Sequence, residues 1–403
     1  GRINAMNAQG PREHWSGRLG FVLAAAGSAI GLGNIWRFPY VTGQYGGGAF
    51  VIVYLAFVLT IGLPVMLSEI ALGRCTQRNP VGAFHALQPR VSMMAHLLGA
   101  GMVLSGLFLI LFQAWGWGLL MLTLGGIAFR FGWRLVGAMG VLTGFLILAF
   151  YSVVGGWTLG YVWESLAEIV RAQPLLADRA AAAARFETLC NRPAWAVSLQ
   201  WLFTLLCGGV VFFGVRRGIE RCSKILMPVL FLLLIALIVR ALSLDGATSG
   251  VHYYLNPDFS RLTPTGILAS LGQAFFSLSL GMGAIITYGS YVDRRQNLFS
   301  SALLIVSLDT LIALLAGLAI FPALFAQGLQ PDQGPGLVFV LLPTVFHAMP
   351  QGMLWSALFF LLLVVAAWTS GISLLEVVTA YLVDERHWPR RLAVPVLTAI
   401  IGG

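Results

Sequence analysis

Two glycine-punctuated interruptions of long apolar segments are the stretches of this sequence best suited to bind a small solute. The first reads GSAIGLGNIWRFP from Gly27 to Pro39, and the second reads FSLSLGMGA from Phe276 to Ala284. A Gly-x-Gly pair weakens a helix through backbone entropy, and broken backbone inside a bilayer is tolerated only where it lines a site or cavity. Close helix packing is the alternative, because Gly27 and Gly31 form a GxxxG pattern. Interruptions at matching positions of two halves favour a transporter binding site.

Polar side chains in other apolar segments could complete such a site. Asp309 lies in the apolar run Leu304–Leu318, where a charge costs at least about 2.5–3.5 kcal/mol, so an intramembrane carboxylate indicates function. Thr369 and Ser370 follow Ala366 at helical spacing and share one face with it. The alternatives are a hydroxyl partner for Asp309 on a neighbouring helix, and hydrogen bonds of Thr369 and Ser370 within their own helix.

The composition places the chain in a bilayer. Of 403 residues, 58% are hydrophobic and 10% charged, with a net charge of +9, whereas a soluble domain has about 25% charged residues. This excludes a soluble enzyme, a disordered chain and a nucleic-acid-binding module. The four cysteines are scattered without a CxxC pair, and no HExxH motif occurs, which argues against a disulfide framework or a zinc site.

Long apolar segments predict an all-α polytopic membrane protein, because stretches of about 20 apolar residues exceed a barrel strand. They lie at 18–43, 47–71, 136–164, 195–214, 222–243, 264–292, 299–325 and 353–383, with a last one starting near Leu392. The segment 336–349 is too short to span and predicts an extramembrane or re-entrant helix. The segment 92–129 has basic residues at both flanks, which favours an apolar hairpin that turns near 113–118.

Basic residues predict the orientation by the positive-inside rule. Seventeen of the 24 Lys and Arg residues fall on one set of flanks and six on the other, while Arg37 lies within the first span. The N-terminal segment 1–17 is therefore expected in the cytoplasm. The positive net charge then reflects topology rather than an acidic partner.

Several of these motifs resemble the neurotransmitter:sodium symporter family. They are Arg12-Glu13-His14-Trp15, the run from Gly27 to Pro39, Gly46-Gly47-Gly48-Ala49-Phe50, Gly218-Ile219-Glu220-Arg221 and the run from Phe276 to Gly283. The resemblance implies a leucine-transporter-like inverted five-helix repeat, with a first repeat at 18–243 and a second at 264–403. It predicts that the second repeat is truncated at the C-terminus and that the hairpin 92–129 is inserted between the second and third family helices.

The same resemblance implies two sodium sites and one amino-acid site. Sodium site two matches Gly27, Ile30, Ala366, Thr369 and Ser370, whose hydroxyls and carbonyls offer five neutral oxygens. Sodium site one matches Ala29, Asn34, Ser277 and Asp309, together with the carboxylate of the substrate. The substrate-binding residues are expected to be Ala29, Gly31, Leu32, Gly33, Ile147, Tyr151, Phe276, Ser277, Ser279, Met282, Ser370 and Leu374. Methionine is adaptable and contacts aromatic rings well, so Met282 favours a large apolar or aromatic substrate.

Further residues match the family's gates and scaffold. The cytoplasmic gate is expected to be an ion pair between Arg12 and Asp384, covered by Trp15 and Tyr291. Arg37 matches the outer gate, and Glu69 is expected to cap amides of the second interruption or, alternatively, to be solvated. Gly218 and Pro228 resemble a motif that lets the fifth family helix unwind, although Pro228 could equally be a plain kink. Asp309 stands near the family's chloride position, which predicts chloride independence.

The expected function is sodium-coupled symport of neutral, hydrophobic or aromatic L-amino acids across a bacterial inner membrane by alternating access. Na⁺ is the expected coupling ion, and no nucleic-acid partner or catalytic residue is expected. Two alternatives remain open. The chain could bind amino acids without transporting them, as a sensor, or it could be a proton-coupled carrier in which Asp309 or Glu376 titrates.

Overall fold

The computed structural model describes residues 13–87, 101–102, 104–105, 107, 132–173, 179–329 and 336–403. Arg12 and nearly all of the hairpin predicted at 92–129 lie outside these ranges. The helices of six or more residues whose bounds lie within these ranges are α1 (Arg18–Ala29), α2 (Gly33–Gln44), α3 (Gly48–Thr76), α4 (Pro80–Leu87), α5 (Arg134–Arg171), α6 (Arg179–Asn191), α7 (Pro193–Phe212), α8 (Val215–Leu242), α9 (Ala247–Leu255), α10 (Pro264–Ser277), α11 (Ala284–Gly289), α12 (Leu298–Ala326), α13 (Leu337–His347), α14 (Gly352–Arg386) and α15 (Arg390–Gly402).

Six of these helices are long and apolar enough to cross a bilayer, namely α3, α5, α7, α8, α12 and α14. The pair α1 and α2 makes a seventh candidate span, bent by 50° at the first interruption. A spanning helix needs about 20 apolar residues, and α10 and α11 reach that length only when taken together across the second interruption. The fold is therefore the predicted all-α polytopic membrane fold.

Helix α14 forms the centre of the bundle. Its most apolar stretch is 83% buried within the protein, whereas the corresponding stretches of α3, α7 and α8 are 33% buried. It packs mainly against α5 and also against α7, α8 and α1. The less buried helices carry many exposed large apolar side chains, as expected where acyl chains replace water as the solvent.

The first interruption is a true break in the helix. Helix α1 ends at Ala29, and Ile30 takes an extended conformation with ψ of 104°. The chain resumes as a helix at Gly33. Two amides freed by the break have side-chain partners, because Gly31 N donates to Asn34 Oδ1 at 3.2 Å and Leu32 N donates to Tyr151 Oη at 3.0 Å.

The second interruption separates α10 from α11. Ser279, Gly281 and Gly283 adopt φ values of 54°, 79° and 79°, a left-handed region in which glycine meets no steric penalty. Helix α10 therefore stops at Ser277 and α11 starts only at Ala284. Both interruptions predicted from the glycine pattern are present as non-helical backbone.

Candidate functional site

The two interruptions lie against each other. Ser279 Oγ, in the second, donates a hydrogen bond of 3.0 Å to the Ser28 carbonyl, beside the first. Ser370 Oγ, on α14, donates to the same carbonyl at 3.1 Å. Ser28 was not among the residues expected at the site. Its position next to Gly27, at the start of the first interruption, could have predicted its presence there. Its carbonyl joins both breaks to the central helix.

Between the breaks lies a small cavity. It is lined by Ser28, Ala29, Gly31, Gly33, Ile147, Tyr151, Phe276, Ser279, Met282, Ser370 and Leu374. Ten of the twelve residues expected to bind substrate are in this set. The other two lie immediately behind it: Leu32 presents its amide to Tyr151, and Ser277 faces Asn34.

The cavity admits water-sized molecules over only about 20 Å³. A volume of about 10–15 Å³ on this measure already holds one water, so an amino acid requires lining side chains to move. Phe276 is well placed for that movement, because it packs close to Gly33 on one side and under Arg37 on the other. The Arg37 guanidinium lies 5.2 Å from the Phe276 ring centre.

Asn34, Ser277 and Asp309 form a buried polar cluster beside the cavity. Asn34 Nδ2 donates to Asp309 Oδ1 at 2.8 Å and to Ser277 Oγ at 3.0 Å. Ser277 Oγ donates to Asp309 Oδ2 at 2.6 Å. All three side chains are completely buried. Of the residues expected at sodium site one, the fourth, Ala29, lines the adjoining cavity.

No cationic side chain in the described part of the chain pairs with Asp309. Two hydrogen bonds satisfy its oxygens, but a buried carboxylate without a positive partner is strongly disfavoured. A cation held by oxygen ligands would supply the missing charge. Carboxylate and amide oxygens are ligands suited to hard cations, so these residues fit a sodium ion.

Thr369 and Ser370 present hydroxyls to the first interruption. Ser370 Oγ lies 3.3 Å from the Ile30 carbonyl oxygen, and Thr369 Oγ1 lies 3.5 Å from it. Thr369 Oγ1 also donates to the Ala366 carbonyl at 3.0 Å, within its own helix. Gly27 packs beside Thr369, because a Cβ at Gly27 would lie 3.5 Å from Thr369 Cβ. The five residues expected at sodium site two therefore meet, although part of their hydrogen bonding is intrahelical.

The family resemblance implies that the chloride position of chloride-dependent members lies near Tyr54, Gln273 and Ser277 of this sequence. Tyr54 Oη donates to Ser277 Oγ at 3.2 Å, so Tyr54 joins the Asp309 cluster. Gln273 Nε2 donates to the Gly33 carbonyl at 2.9 Å, and Gln273 Oε1 accepts from Arg37 at 2.5 Å. The carboxyl group of Asp309 therefore lies beside Tyr54 and Ser277, whereas Gln273 contacts the first interruption.

Glu69 is bonded to the second interruption. Its Oε1 accepts a hydrogen bond of 2.8 Å from Gly281 N, one of the amides that leave the helix there. The residue is 7% exposed, so the solvated alternative does not describe it. Glu69 thus ties α3 to the broken segment.

An aromatic cluster lies just before α1 and at the end of α11. It consists of Trp15, Tyr288 and Tyr291. Trp15 Nε1 donates to the Tyr288 carbonyl at 3.0 Å, and Trp15 N donates to the Tyr291 carbonyl at 3.2 Å. Asp384 Oδ2 accepts from Asn79 N at 3.0 Å. Its expected partner Arg12 lies outside the described residues.

A second ion pair lies next to this cluster and was not expected from the sequence. Arg390 donates two hydrogen bonds of 2.7 Å to Glu376, one to each carboxylate oxygen, and Tyr291 Oη donates to Glu376 Oε1 at 2.7 Å. Glu376 is fully buried. From the sequence, Glu376 is named only as a group that could titrate in a proton-coupled carrier, and its pairing with Arg390 is not expected. A buried glutamate in an apolar helix needs a cationic partner. The position of Glu376 in such a helix was therefore the sequence signal that could have predicted an ion pair.

Comparison with known proteins identifies the family. The sequence profile of the Sodium:neurotransmitter symporter family matches residues 12–126 and 189–402. The chain belongs to this family. The matched ranges include most of the segment 92–129, which was expected to be an insertion between family helices. Members of this family are transporters, so the chain is a multi-pass membrane transporter that depends on sodium, and it is not an enzyme.

Individual relatives agree with the family assignment. The uncharacterized sodium-dependent transporter YhdH of Bacillus subtilis is 40% identical over 379 residues, which cover 93% of this chain and 73% of that protein. The bovine sodium- and chloride-dependent creatine transporter 1 is 28% identical over 399 residues, covering 90% and 58%. Among solved structures, MhsT in complex with L-phenylalanine matches with a TM-score of 0.80 and 42% identity, covering 97% of this chain and 79% of that one. The symporter fold is therefore shown.

Proposed function

We propose that this symporter couples the inward movement of sodium to uptake of neutral, hydrophobic or aromatic L-amino acids, without chloride. The observation that carries the proposal is the Asp309 cluster, a buried carboxylate that lacks a cationic side chain among the described residues and adjoins the cavity between two broken helices. A sodium ion there would balance the carboxylate and attract the carboxylate of a substrate. The solved relative MhsT binds L-phenylalanine, which supports this substrate class.

The residues at the breaks have complementary roles in this proposal. Amides near Gly31 and the Tyr151 hydroxyl would bind the substrate carboxylate, because a half-helix start attracts negative charge. Carbonyls of Ala29 and Phe276 would accept from its ammonium group. Met282 and the apolar lining would surround the side chain, and the Thr369–Ser370 hydroxyls with the Ile30 carbonyl would hold a second sodium ion.

The gates complete an alternating-access cycle. Phe276, under Arg37, would close the outer side, while Asp384, Trp15 and Tyr291 would close the inner side. The biased distribution of arginines supports a cytoplasmic N-terminus and residence in a bacterial inner membrane. Glu69 would hold the second break in position as the helices around it move.

Uptake in proteoliposomes tests the proposal. Labelled L-phenylalanine should accumulate under an inward sodium gradient, with chloride or gluconate as the anion, and the accumulation should disappear when potassium replaces sodium. Undiminished uptake in potassium would contradict sodium coupling. Sodium-dependent binding without accumulation would instead support a sensor, and uptake driven by a pH gradient alone would support a proton-coupled carrier.

A further inference from the structure

A groove opens on the surface of the bundle between α7 and α8 and shares no lining residue with the substrate cavity. It has a volume of about 430 Å³, within the range of about 300–1,000 Å³ that is usual for small-molecule sites. Its walls include Leu205 and Phe213 from α7 and Ile225 from α8, and Trp368 of the buried helix α14 also lines it. None of these residues has a part in the sites described above.

The groove is apolar and is not filled by the protein. Leu205, Phe213 and Ile225 are 54%, 67% and 59% exposed. A Cβ added at Gly209, which also lines the groove, would meet no atom within 4 Å. Because both walls are candidate membrane spans, the neighbour of this groove in a bilayer is lipid.

Two arginines give the groove a charged end. Arg217 and Arg221, near the start of α8, both line it. Neither guanidinium has a hydrogen-bond or ion-pair partner within the ranges that the structure describes. The nearby carboxylate of Glu220 is already paired, because Lys224 Nζ lies 2.6 Å from its Oε1. Two unpaired cations above an apolar channel are complementary to a phosphate that carries an acyl chain.

We infer that this groove binds an anionic phospholipid of the cytoplasmic leaflet. Its phosphate lies between Arg217 and Arg221, and one acyl chain runs along Leu205 and Ile225 towards Trp368. A zwitterionic headgroup would leave the excess positive charge unbalanced, whereas anionic lipids are attracted to basic residues at the cytoplasmic face. The inference uses the orientation given under the proposed function but is independent of the substrate.

Native mass spectrometry of the purified full chain tests the headgroup preference. After delipidation, the protein is offered equal amounts of dioleoylphosphatidylglycerol and dioleoylphosphatidylcholine. One phosphatidylglycerol should be retained in preference, and Arg217→Gln with Arg221→Gln should reduce the preference about fivefold for each arginine. Arg294→Gln with Arg295→Gln, an exposed pair outside the groove, is the matched control and should retain it. Equal retention of both lipids by the unmodified protein, or an unchanged preference in the Arg217 and Arg221 variant, overturns the inference.

A second measurement tests the position of the acyl chain without altering charge. Phosphatidylglycerol with brominated acyl chains should quench Trp368 fluorescence, measured as the difference between the unmodified protein and Trp368→Phe. Gly209→Leu fills the groove and should abolish both this quenching and the lipid preference, whereas Gly272→Leu, at another open glycine, should preserve both. Size-exclusion profiles identify any variant that fails to fold. If Gly209→Leu instead dissociates a dimer and leaves lipid retention unchanged, the face binds a second copy and the inference is wrong.

Discussion

Ser277 Oγ donates a hydrogen bond of 2.6 Å to Asp309 Oδ2, joining the end of α10 to the middle of α12. Ser277 is the last helical residue before the second interruption. The contact therefore links the carboxylate directly to the backbone that opens towards the cavity. Removing the charge of Asp309 should therefore alter the binding of both the sodium ion and the substrate.

Asp309→Asn should weaken sodium-dependent amino-acid binding or make it depend on chloride, because the substitution removes the negative charge but keeps the size and shape of the side chain. Binding of labelled L-phenylalanine in chloride and in gluconate measures both effects. Asp245→Asn, in an exposed loop, is the control and should bind as the unmodified protein does. If Asp309→Asn changes neither affinity nor anion dependence, the role given to this carboxylate is wrong.

Thr369→Ala should raise the sodium concentration that gives half-maximal binding by about tenfold. A hydrogen bond to a charged group contributes about 1.5 kcal/mol or more, and a hydroxyl–sodium contact of that strength corresponds to a factor of about ten. Sodium titration of amino-acid binding measures the shift. The control is Thr379→Ala on the same helix, since Thr379 Oγ1 bonds the Leu375 carbonyl within its own helix, at 2.8 Å. Equal sodium dependence in the two variants would show that Thr369 does not bind the sodium ion.

Gly31→Ala should abolish substrate binding while leaving the protein folded. A Cβ at this position would lie 2.6 Å from Tyr151 Oη and would also collide with Ser370 Oγ. The methyl group would therefore occupy the place where the substrate carboxylate is expected. Gly272→Ala, where a Cβ has open space, is the comparison. Normal affinity in Gly31→Ala would show that substrate binds elsewhere.

Arg390→Gln should open the inner side of the bundle. It leaves Glu376 buried without its cation, and breaking one partner of a buried ion pair costs about 3–5 kcal/mol. Hydrogen–deuterium exchange of peptides from residues 13–29 should increase, since Tyr291 binds both Glu376 and Trp15. Arg391→Gln, at an exposed neighbour, should exchange as the unmodified protein does. Unchanged exchange in Arg390→Gln would mean that the pair does not close this side.

His347 should make stability depend on pH. Burial lowers the pKa of His347, but hydrogen bonds to Glu168 Oε2 at 3.1 Å and to the Pro343 carbonyl at 2.7 Å outweigh it, so the pKa lies above the ordinary value of 6.5. A raised pKa stabilises the folded state fully below about pH 6.5. That contribution is lost as pH rises through the folded-state pKa.

Melting temperatures measured between pH 5.5 and 9 check the His347 prediction. The unmodified protein should lose stability through this range, and His347→Gln should flatten the dependence. His252→Gln removes an exposed histidine and should keep the original slope. Identical slopes for the unmodified protein and His347→Gln would disprove the contribution of His347.

The membrane class, the family and the positions of the two interruptions follow from the order of the residues alone. A sufficiently long apolar segment must be helical in lipid, because the backbone N–H and C=O groups find hydrogen-bond partners only within the segment. The left-handed conformations at Gly281 and Gly283 meet no steric penalty because glycine lacks a Cβ. Apolar length and glycine content are properties of a single stretch of residues, and the positions of the breaks could therefore be predicted.

Which polar groups meet depends on how the helices pack against one another. Asn34 and Asp309 are 275 residues apart, and spacing within one helix says nothing about contacts between helices. The pairing of Glu376 with Arg390 depends on how the chain turns after α14, and the shared Ser28 carbonyl depends on how two broken helices face α14. The polar contacts of the site are therefore set by helix packing. A buried charge or donor can bond only to a group that the folded bundle places within about 3 Å of it.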